Sequence, residues 1–200
     1  MSVLDTLLKL WNSSATDDHY DRNESLKPAE ILEQLQKAFP TEQIVAEISQ
    51  SLGEMVALMS SDEVPSRRDI FLGACCLSLI ADPQGVRVPL PLVQDIVRTF
   101  PMSIWYRALI PVVSRYLSRA DLLEALIKNL SGTARPSLVE NALQGVRMYG
   151  KFARKDDDPR RLIDLKNKIA PLIERYLHHQ RIDFARHAER APAALQQYFT

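Results

Sequence analysis

Hydrophobic residues recur at intervals of three and four along most of the chain, which is the spacing of one face of an α-helix. The opening segment carries its apolar residues on one such face: Val3, Leu4, Leu7, Leu8 and Trp11. The stretch that follows, residues 12–27, is polar and has no aliphatic side chain larger than alanine before Leu26. We therefore predict a short amphipathic helix over residues 1–11 and a flexible polar linker over residues 12–27.

A strong helical pattern begins at Pro28, and residues 28–200 are predicted to form a single all-helical domain. The first helix of this domain stops at Pro40, because the residue before a proline is pushed out of helical geometry. Ser66 and Asp69 have the spacing of a capping box, in which a hydroxyl and a carboxylate satisfy unpaired backbone N–H groups at a helix start. A further helix is therefore expected to begin at this point.

The same order of signals returns later in the chain. Pro28 to Pro40 and Pro89 to Pro101 share one pattern of proline, aliphatic and basic positions that ends in Phe-Pro, and every position keeps the same offset. The pair Pro65-Ser66 returns as Pro136-Ser137 at a larger offset. A repeated unit with an insertion in its second copy explains both offsets.

The insertion is itself patterned as a helix. Its leucine and isoleucine residues lie at positions 122, 123, 126, 127 and 130, and Ser118 with Asp121 forms its cap. With this added helix, the repeats are predicted to span residues 28–82 and 89–153, with a partial third copy over residues 159–180.

These patterns predict an all-α protein in which a duplicated multi-helix unit forms a short α-solenoid or a helical bundle. Helical units that cannot each bury an apolar face alone must stack on one another. In general look they are similar to HEAT- or armadillo-like helical repeats, although the unit that leads from Pro28 to its counterpart Pro89 is longer than either repeat. Strand signals are nearly absent, and the short segment Val86–Val88 is the best candidate.

Charge is balanced over the whole chain but separated along it. The 25 Lys and Arg residues equal the 25 Asp and Glu residues. Residues 1–64 nevertheless hold 4 basic against 12 acidic side chains, and residues 65–200 hold 21 against 13. Such a separation steers charged partners or favours head-to-tail self-association, unless it reflects only ordinary solvated faces.

The chain shows no signal that would direct it to a membrane or out of the cell. No apolar stretch reaches the roughly 18 residues that a membrane-spanning helix needs. The N-terminus lacks the basic flank and cleavage site of a signal peptide. We expect a cytoplasmic protein with no membrane span, in which the adjacent Cys75 and Cys76 stay reduced.

Candidate catalytic chemistry is sparse. His179, Asp183 and His187 are spaced four residues apart and would share one face of a continuous helix. Two imidazoles and one carboxylate make an incomplete metal site, so a solvated face or a pH-sensitive contact are the alternatives. Because no phosphate-binding loop, nucleophile elbow or metal-ligand spacing occurs, we predict no enzyme, no metal and no cofactor. An all-helical enzyme with an unrecognised site is kept as the third hypothesis.

A basic tract in the C-terminal half is the best signal for nucleic acid or for another acidic partner. Its residues are Arg147, Lys151, Arg154, Arg161, Lys168 and Arg175. On continuous helices the first three would share one face and the last three another, which would let them follow a phosphate backbone. Interspersed acidic residues make an ordinary charged surface the alternative.

The opening helix gives the more specific indication of function. A short amphipathic helix on a flexible tether is a common form for a segment that inserts into a groove on a partner. We predict that Leu4, Leu7, Leu8 and Trp11 bind another protein or a second copy of the chain. The alternative is that this segment packs on its own domain. The preferred function is a non-catalytic protein–protein interaction module (an adaptor, scaffold or regulatory subunit), and the second hypothesis is a nucleic-acid-associated factor.

Overall fold

The computed structural model describes residues 2–13, 27–61, 63–132, 134–155, 158–196 and 198. This part of the chain contains ten α-helices and no β-strand, so the prediction of an all-α protein is confirmed. The helices are α1 (Val3–Ser13), α2 (Pro28–Ala38), α3 (Thr41–Ser60), α4 (Arg67–Ala81), α5 (Leu90–Thr99), α6 (Met102–Tyr116), α7 (Arg119–Leu130), α8 (Pro136–Tyr149), α9 (Pro159–Glu174) and α10 (Ile182–Gln196). They pack as two compact units, Met1–Leu92 (unit 1) and Val93–Thr200 (unit 2).

Unit 1 is built from α1 to α4, and each of these helices packs against the other three. Every helix contributes fully buried side chains to the core, such as Leu7, Leu35, Ile48 and Leu77. The Glu47 carboxylate on α3 also accepts a hydrogen bond of 2.9 Å from the backbone N–H of Val3. A carboxylate is favourable there because the first N–H groups of a helix have no partner within the helix. α1 is thus held in unit 1 by apolar packing and by a helix-start hydrogen bond.

Unit 2 is organised around α8, which packs against α6, α7 and α10. α9 in turn packs against α7 and α10. The approach of α7 to α8 depends on Gly145, where an added Cβ would lie 2.9 Å from Cδ2 of Leu126. This arrangement places α9 and α10 side by side, and the candidate site lies on that pair.

The corner between α5 and α6 is closed by a buried asparagine of α8. Pro101 has no backbone N–H, so it cannot donate to the Val97 carbonyl as the next residue of a continuing helix would. Asn141 donates through Nδ2 to the carbonyls of Val97 (3.3 Å) and Arg98 (3.0 Å). Its Oδ1 accepts from the N–H of Met102 at 3.2 Å. One amide side chain therefore satisfies the backbone groups that the proline corner leaves unpaired.

Local signals fixed two helix starts where they were expected. The Ser66 hydroxyl accepts from the Asp69 N–H at 3.2 Å, and the Asp69 carboxylate accepts from the Ser66 N–H at 2.9 Å. Ser118 and Asp121 form the same reciprocal pair, at 3.1 and 3.2 Å, at the start of α7. α7 is the added helix, and α2–α3–α4 and α5–α6–α8 follow the order of the sequence repeat.

Several details differ from the expectation. α10 continues through Pro192, although a proline inside a helix usually kinks or breaks it. α9 ends at Glu174, short of the 159–180 copy, and α1 extends past residue 11 to Ser13. Val86–Val88 forms no strand; the Val86 N–H donates instead to the Leu79 carbonyl at 3.1 Å. Of the predicted linker, residues 14–26 lie outside the described residues.

Candidate interaction surface on helices α9 and α10

A cavity of about 230 Å³ lies between α9 and α10 in unit 2. It is lined by Ala170, Ile173, Glu174, Leu177, Pro192 and Leu195, and we call it the α9–α10 cleft. Ile173 and Leu195 are 1% and 3% exposed, so they belong to the core, whereas Ala170 and Glu174 are exposed. The cleft is therefore an apolar depression that reaches the core and has one carboxylate in its lining.

The volume of the cleft limits what it can hold. Binding sites for drug-sized molecules occupy about 300 Å³ or more. A dry apolar cavity of about 150 Å³ is large enough for benzene. The cleft lies between these sizes, which fits one bulky side chain such as leucine, phenylalanine or tryptophan. Single apolar anchors of this kind supply much of the binding energy at protein interfaces.

Both walls of the cleft have a local cause in the sequence. α9 ends at Glu174, and the chain then makes tight turns, with the N–H of Tyr176 donating to the Ile173 carbonyl and that of Leu177 to the Glu174 carbonyl. On α10, Pro192 presents a ring instead of an N–H, so the Ala188 carbonyl has no α-helical donor. The proline therefore leaves an apolar wall at this point.

Aromatic residues fix the turn that joins α9 to α10. Phe184 at the start of α10 lies 5.9 Å from the ring of Tyr176 and 5.0 Å from that of His179, measured between centroids. The guanidinium carbon of Arg181 lies 4.5 Å from the Phe184 ring centroid, within the range of a cation–π contact. These contacts hold the two helices at one end of the cleft.

Exposed isoleucines also occur on the two helices that form the cleft. Ile163 is 46% exposed and precedes Ala170 by seven residues, which places the two on the same face of α9. Ile182, the first residue of α10, is 73% exposed. Single exposed isoleucines are ordinary, but here they lie on the two helices that form the cleft.

The structure places the predicted partner-binding residues of α1 against their own unit. Leu7 is fully buried, while Leu4, Leu8 and Trp11 are half-buried. This is the alternative packing that the sequence left open. Binding of a partner by the whole set stays a prediction, and it requires α1 to leave the core of unit 1.

The first three basic residues do not form the continuous face that helical spacing suggested. α8 ends at Tyr149, so Lys151 and Arg154 lie beyond it. The Arg154 backbone pairs with that of Leu117 and Arg119, and its guanidinium donates to the Tyr116 carbonyl at 2.9 Å. These local bonds draw the chain away from a helical path.

The other basic residues divide into engaged and exposed side chains. Arg161 on α9 pairs with Asp121 (2.9 Å) and Glu124 (2.6 Å) of α7. Arg147 contacts His187, and Lys151 lies 4.9 Å from the Phe152 ring centroid. Lys168 on α9 and Arg175, the residue that follows α9, are exposed. Contact of the whole set with nucleic acid or an acidic partner stays a prediction.

His179, Asp183 and His187 do not share one helix face, because His179 lies in the turn before α10. His187 instead packs against α8, with Nδ1 2.8 Å from Nη1 of Arg147 and Nε2 3.2 Å from Nε2 of Gln144. Burial and the neighbouring guanidinium lower the pKa of His187 below its usual 6.5. Since an arginine can only donate, Nδ1 must accept, and the ring is held in its neutral form.

A second cavity, of about 190 Å³, lies between the start of α6 and α8. Its lining is mostly polar and includes Ser103, Ser137, Glu140, Asn141 and Gln144. We call it the α6–α8 cavity.

Within the described ranges, no group of three or more His, Cys, Asp or Glu side chains is arranged to hold a metal ion. No described helix is long and apolar enough to cross a membrane.

No protein-family model, curated protein or solved structure matches the chain.

The α9–α10 cleft was not predicted from the sequence. Ile163 and Pro192 were its only sequence signals, since one is an apolar residue off the buried face of α9 and the other a proline inside a helical pattern. Neither signal indicates which helices meet.

Proposed function

We propose that the protein is a non-catalytic protein–protein interaction module, an adaptor, scaffold or regulatory subunit, that receives a partner side chain in the α9–α10 cleft. The observation that carries the proposal is an apolar cavity of about 230 Å³ between two helices that also carry exposed isoleucines. A cavity of this size suits an anchor residue better than a drug-sized substrate.

The test fills the cleft without disturbing the core beneath it. Ala170 is exposed and lines the cleft, so Ala170→Trp would occupy the space that a partner side chain needs. Ala193→Trp is the matched control, because Ala193 is exposed on α10 and is not a lining residue. Circular dichroism would verify that both variants fold like the parent protein.

Capture experiments with the full chain as bait, in nuclease-treated native extract, would then compare the three proteins. We expect Ala170→Trp to lose a protein that the parent and Ala193→Trp both retain. Equal capture by all three proteins, or equal loss from both variants, would refute the proposed surface.

A nucleic-acid-associated factor is the second candidate, and the charge of unit 2 favours it. Residues 93–200 hold 18 Lys and Arg against 11 Asp and Glu, while residues 1–92 hold 7 against 14. If this candidate is correct, affinity for a labelled duplex or single strand falls steeply with added salt. Lys168→Glu with Arg175→Glu should weaken binding, and Lys9→Glu in unit 1 should not.

A further inference from the structure

We propose that the α9–α10 cleft selects a basic amphipathic segment of its partner. A bulky apolar side chain of that segment fills the cavity, and a lysine or arginine one helical turn away pairs with Glu174. This inference rests on the proposed function, because it names the chemistry of the partner at the same surface.

A carboxylate lines the cleft, and a second lies one turn from it on α10. Glu174 lines it, and it forms no ion pair with the described residues of the chain. Glu189 is exposed and precedes Pro192 by three residues, so the two lie on the same side of α10. A lysine ammonium or an arginine guanidinium, which carry only donors, matches this set.

The net positive charge of unit 2 acts at longer range than this contact. Arg175 follows Glu174 but lies about 100° further round the helix, away from the lining residues. Lys166 precedes Ala170 by one turn, but it is not a lining residue and it already takes part in an interaction within the chain. At physiological salt, charges beyond about 8 Å are largely screened, so the groups nearest the bound segment decide its preferred sign.

The first experiment measures this preference with small probes that imitate one side chain. The probes are 4-phenylbutylammonium and 5-phenylpentanoate, which share an apolar body and differ in the sign of the charge. Their binding to the isotope-labelled full chain would be followed by the NMR shifts of the Ala170 and Ile173 amides. An exposed ion pair changes affinity by a factor of about two to five, and repulsion of the anion adds a similar factor. We therefore expect the cation to bind roughly tenfold more tightly.

Two neutralising variants separate the cleft from the general field. Glu174→Gln should remove most of the preference for the cation. Asp164→Asn, the same charge change at an exposed position of α9 outside the cleft, should retain it. Equal binding of both probes to the parent protein, or an unchanged preference in Glu174→Gln, would overturn the inference.

The result of the probe-binding experiment can be told apart from the result of the capture experiment that tests the proposed function. If Ala170→Trp loses a protein partner but the probes show no preference for the cation, the interaction surface stands and this inference falls. If the cation is preferred but Ala170→Trp captures the same proteins as the parent, the proposed surface is refuted and the partner assignment falls with it.

Discussion

Replacing Asn141 by alanine should destabilise unit 2 by several kcal/mol although it removes only a few atoms. The Val97 carbonyl and the Met102 N–H would lose their partner, and Met102 is 7% exposed, so water reaches it poorly. The Arg98 carbonyl would keep a second hydrogen bond, of 2.7 Å, from Nδ2 of Asn129. Two backbone groups would thus be left unsatisfied.

Each unsatisfied buried group costs about 1–3 kcal/mol. The better helix propensity of alanine returns about 0.5 kcal/mol. Two such groups cost about 2–6 kcal/mol, so the expected net loss in the free energy of unfolding is about 1.5–5.5 kcal/mol. Asn167→Ala is the control, because Asn167 is exposed on α9 and its replacement should be neutral or slightly stabilising.

The assay is urea denaturation followed by the fluorescence of Trp105. This side chain is 2% exposed, and its ring centroid lies 5.1 Å from that of Phe100 at the same corner. A Trp11→Phe background removes the other tryptophan, so that the signal reports unit 2 alone. A loss below about 0.5 kcal/mol, which is within the effect of an ordinary surface substitution, would refute the role assigned to Asn141.

Three further predictions concern other contacts. Because burial and a nearby guanidinium lower the pKa of His187, the stability from its neutral ring should be complete above pH 6.5 and lost as pH falls below it. Between pH 7.5 and pH 5, the free energy of unfolding should therefore fall more for the parent protein than for His187→Gln. Equal losses in the two proteins would contradict this prediction. Gly150 has ordinary right-handed helical backbone angles, but an added Cβ would overlap the Tyr198 ring, so Gly150→Ala should cost about 1–3 kcal/mol. Gly53→Ala, with open space around it, should instead stabilise by about 0.5–1 kcal/mol in thermal unfolding, and the opposite order would refute the packing argument. Leu7→Ala should cost about 2–5 kcal/mol of unfolding free energy; a neutral result would mean that α1 does not stay in the core.

The helices could be predicted wherever the signals for them are local. The capping box of Ser118 and Asp121 starts α7, and the Phe-Pro corners end α2 and α5 close to the expected residues. The hydrogen-bond partner of a corner could not be predicted in this way. At the offset of the capping signals, the counterpart of Asn141 in the first copy is Ile70, which cannot hydrogen-bond to a corner.

The errors have distant causes. α8 stops at Tyr149 because the following residues pair with the backbone around Leu117, more than thirty positions earlier in the chain. Gly150 also receives Tyr198, whose hydroxyl donates to the Val146 carbonyl at 3.1 Å and whose carbonyl accepts from Arg119 at 2.6 Å. Helical periodicity contains no information about such contacts, so it extended α8 too far.

The candidate site was missed for the same reason. Ala170 and Glu174 have the pattern of an ordinary exposed edge of α9, and the cleft exists only because Pro192 and Leu195 of α10 form its other wall. Nothing in the periodicity of either helix shows that they meet. A search for apolar residues off the buried face, such as Ile163, would have indicated α9 but not its neighbour.

Three groups with strongly raised pKa values lie away from both cavities. Enzymes place groups with shifted pKa values in clefts, where substrate can reach them. Here burial raises the pKa of Cys75 and of Cys76 to about 12 and raises that of Tyr149, and none of the three lines either cavity. His187 is different, because it contacts Gln144 in the lining of the α6–α8 cavity. Its Nδ1 already accepts from the Arg147 guanidinium, and its Nε2 lies 3.2 Å from Nε2 of the Gln144 amide, so a reacting group would have to displace those contacts before the imidazole could transfer a proton.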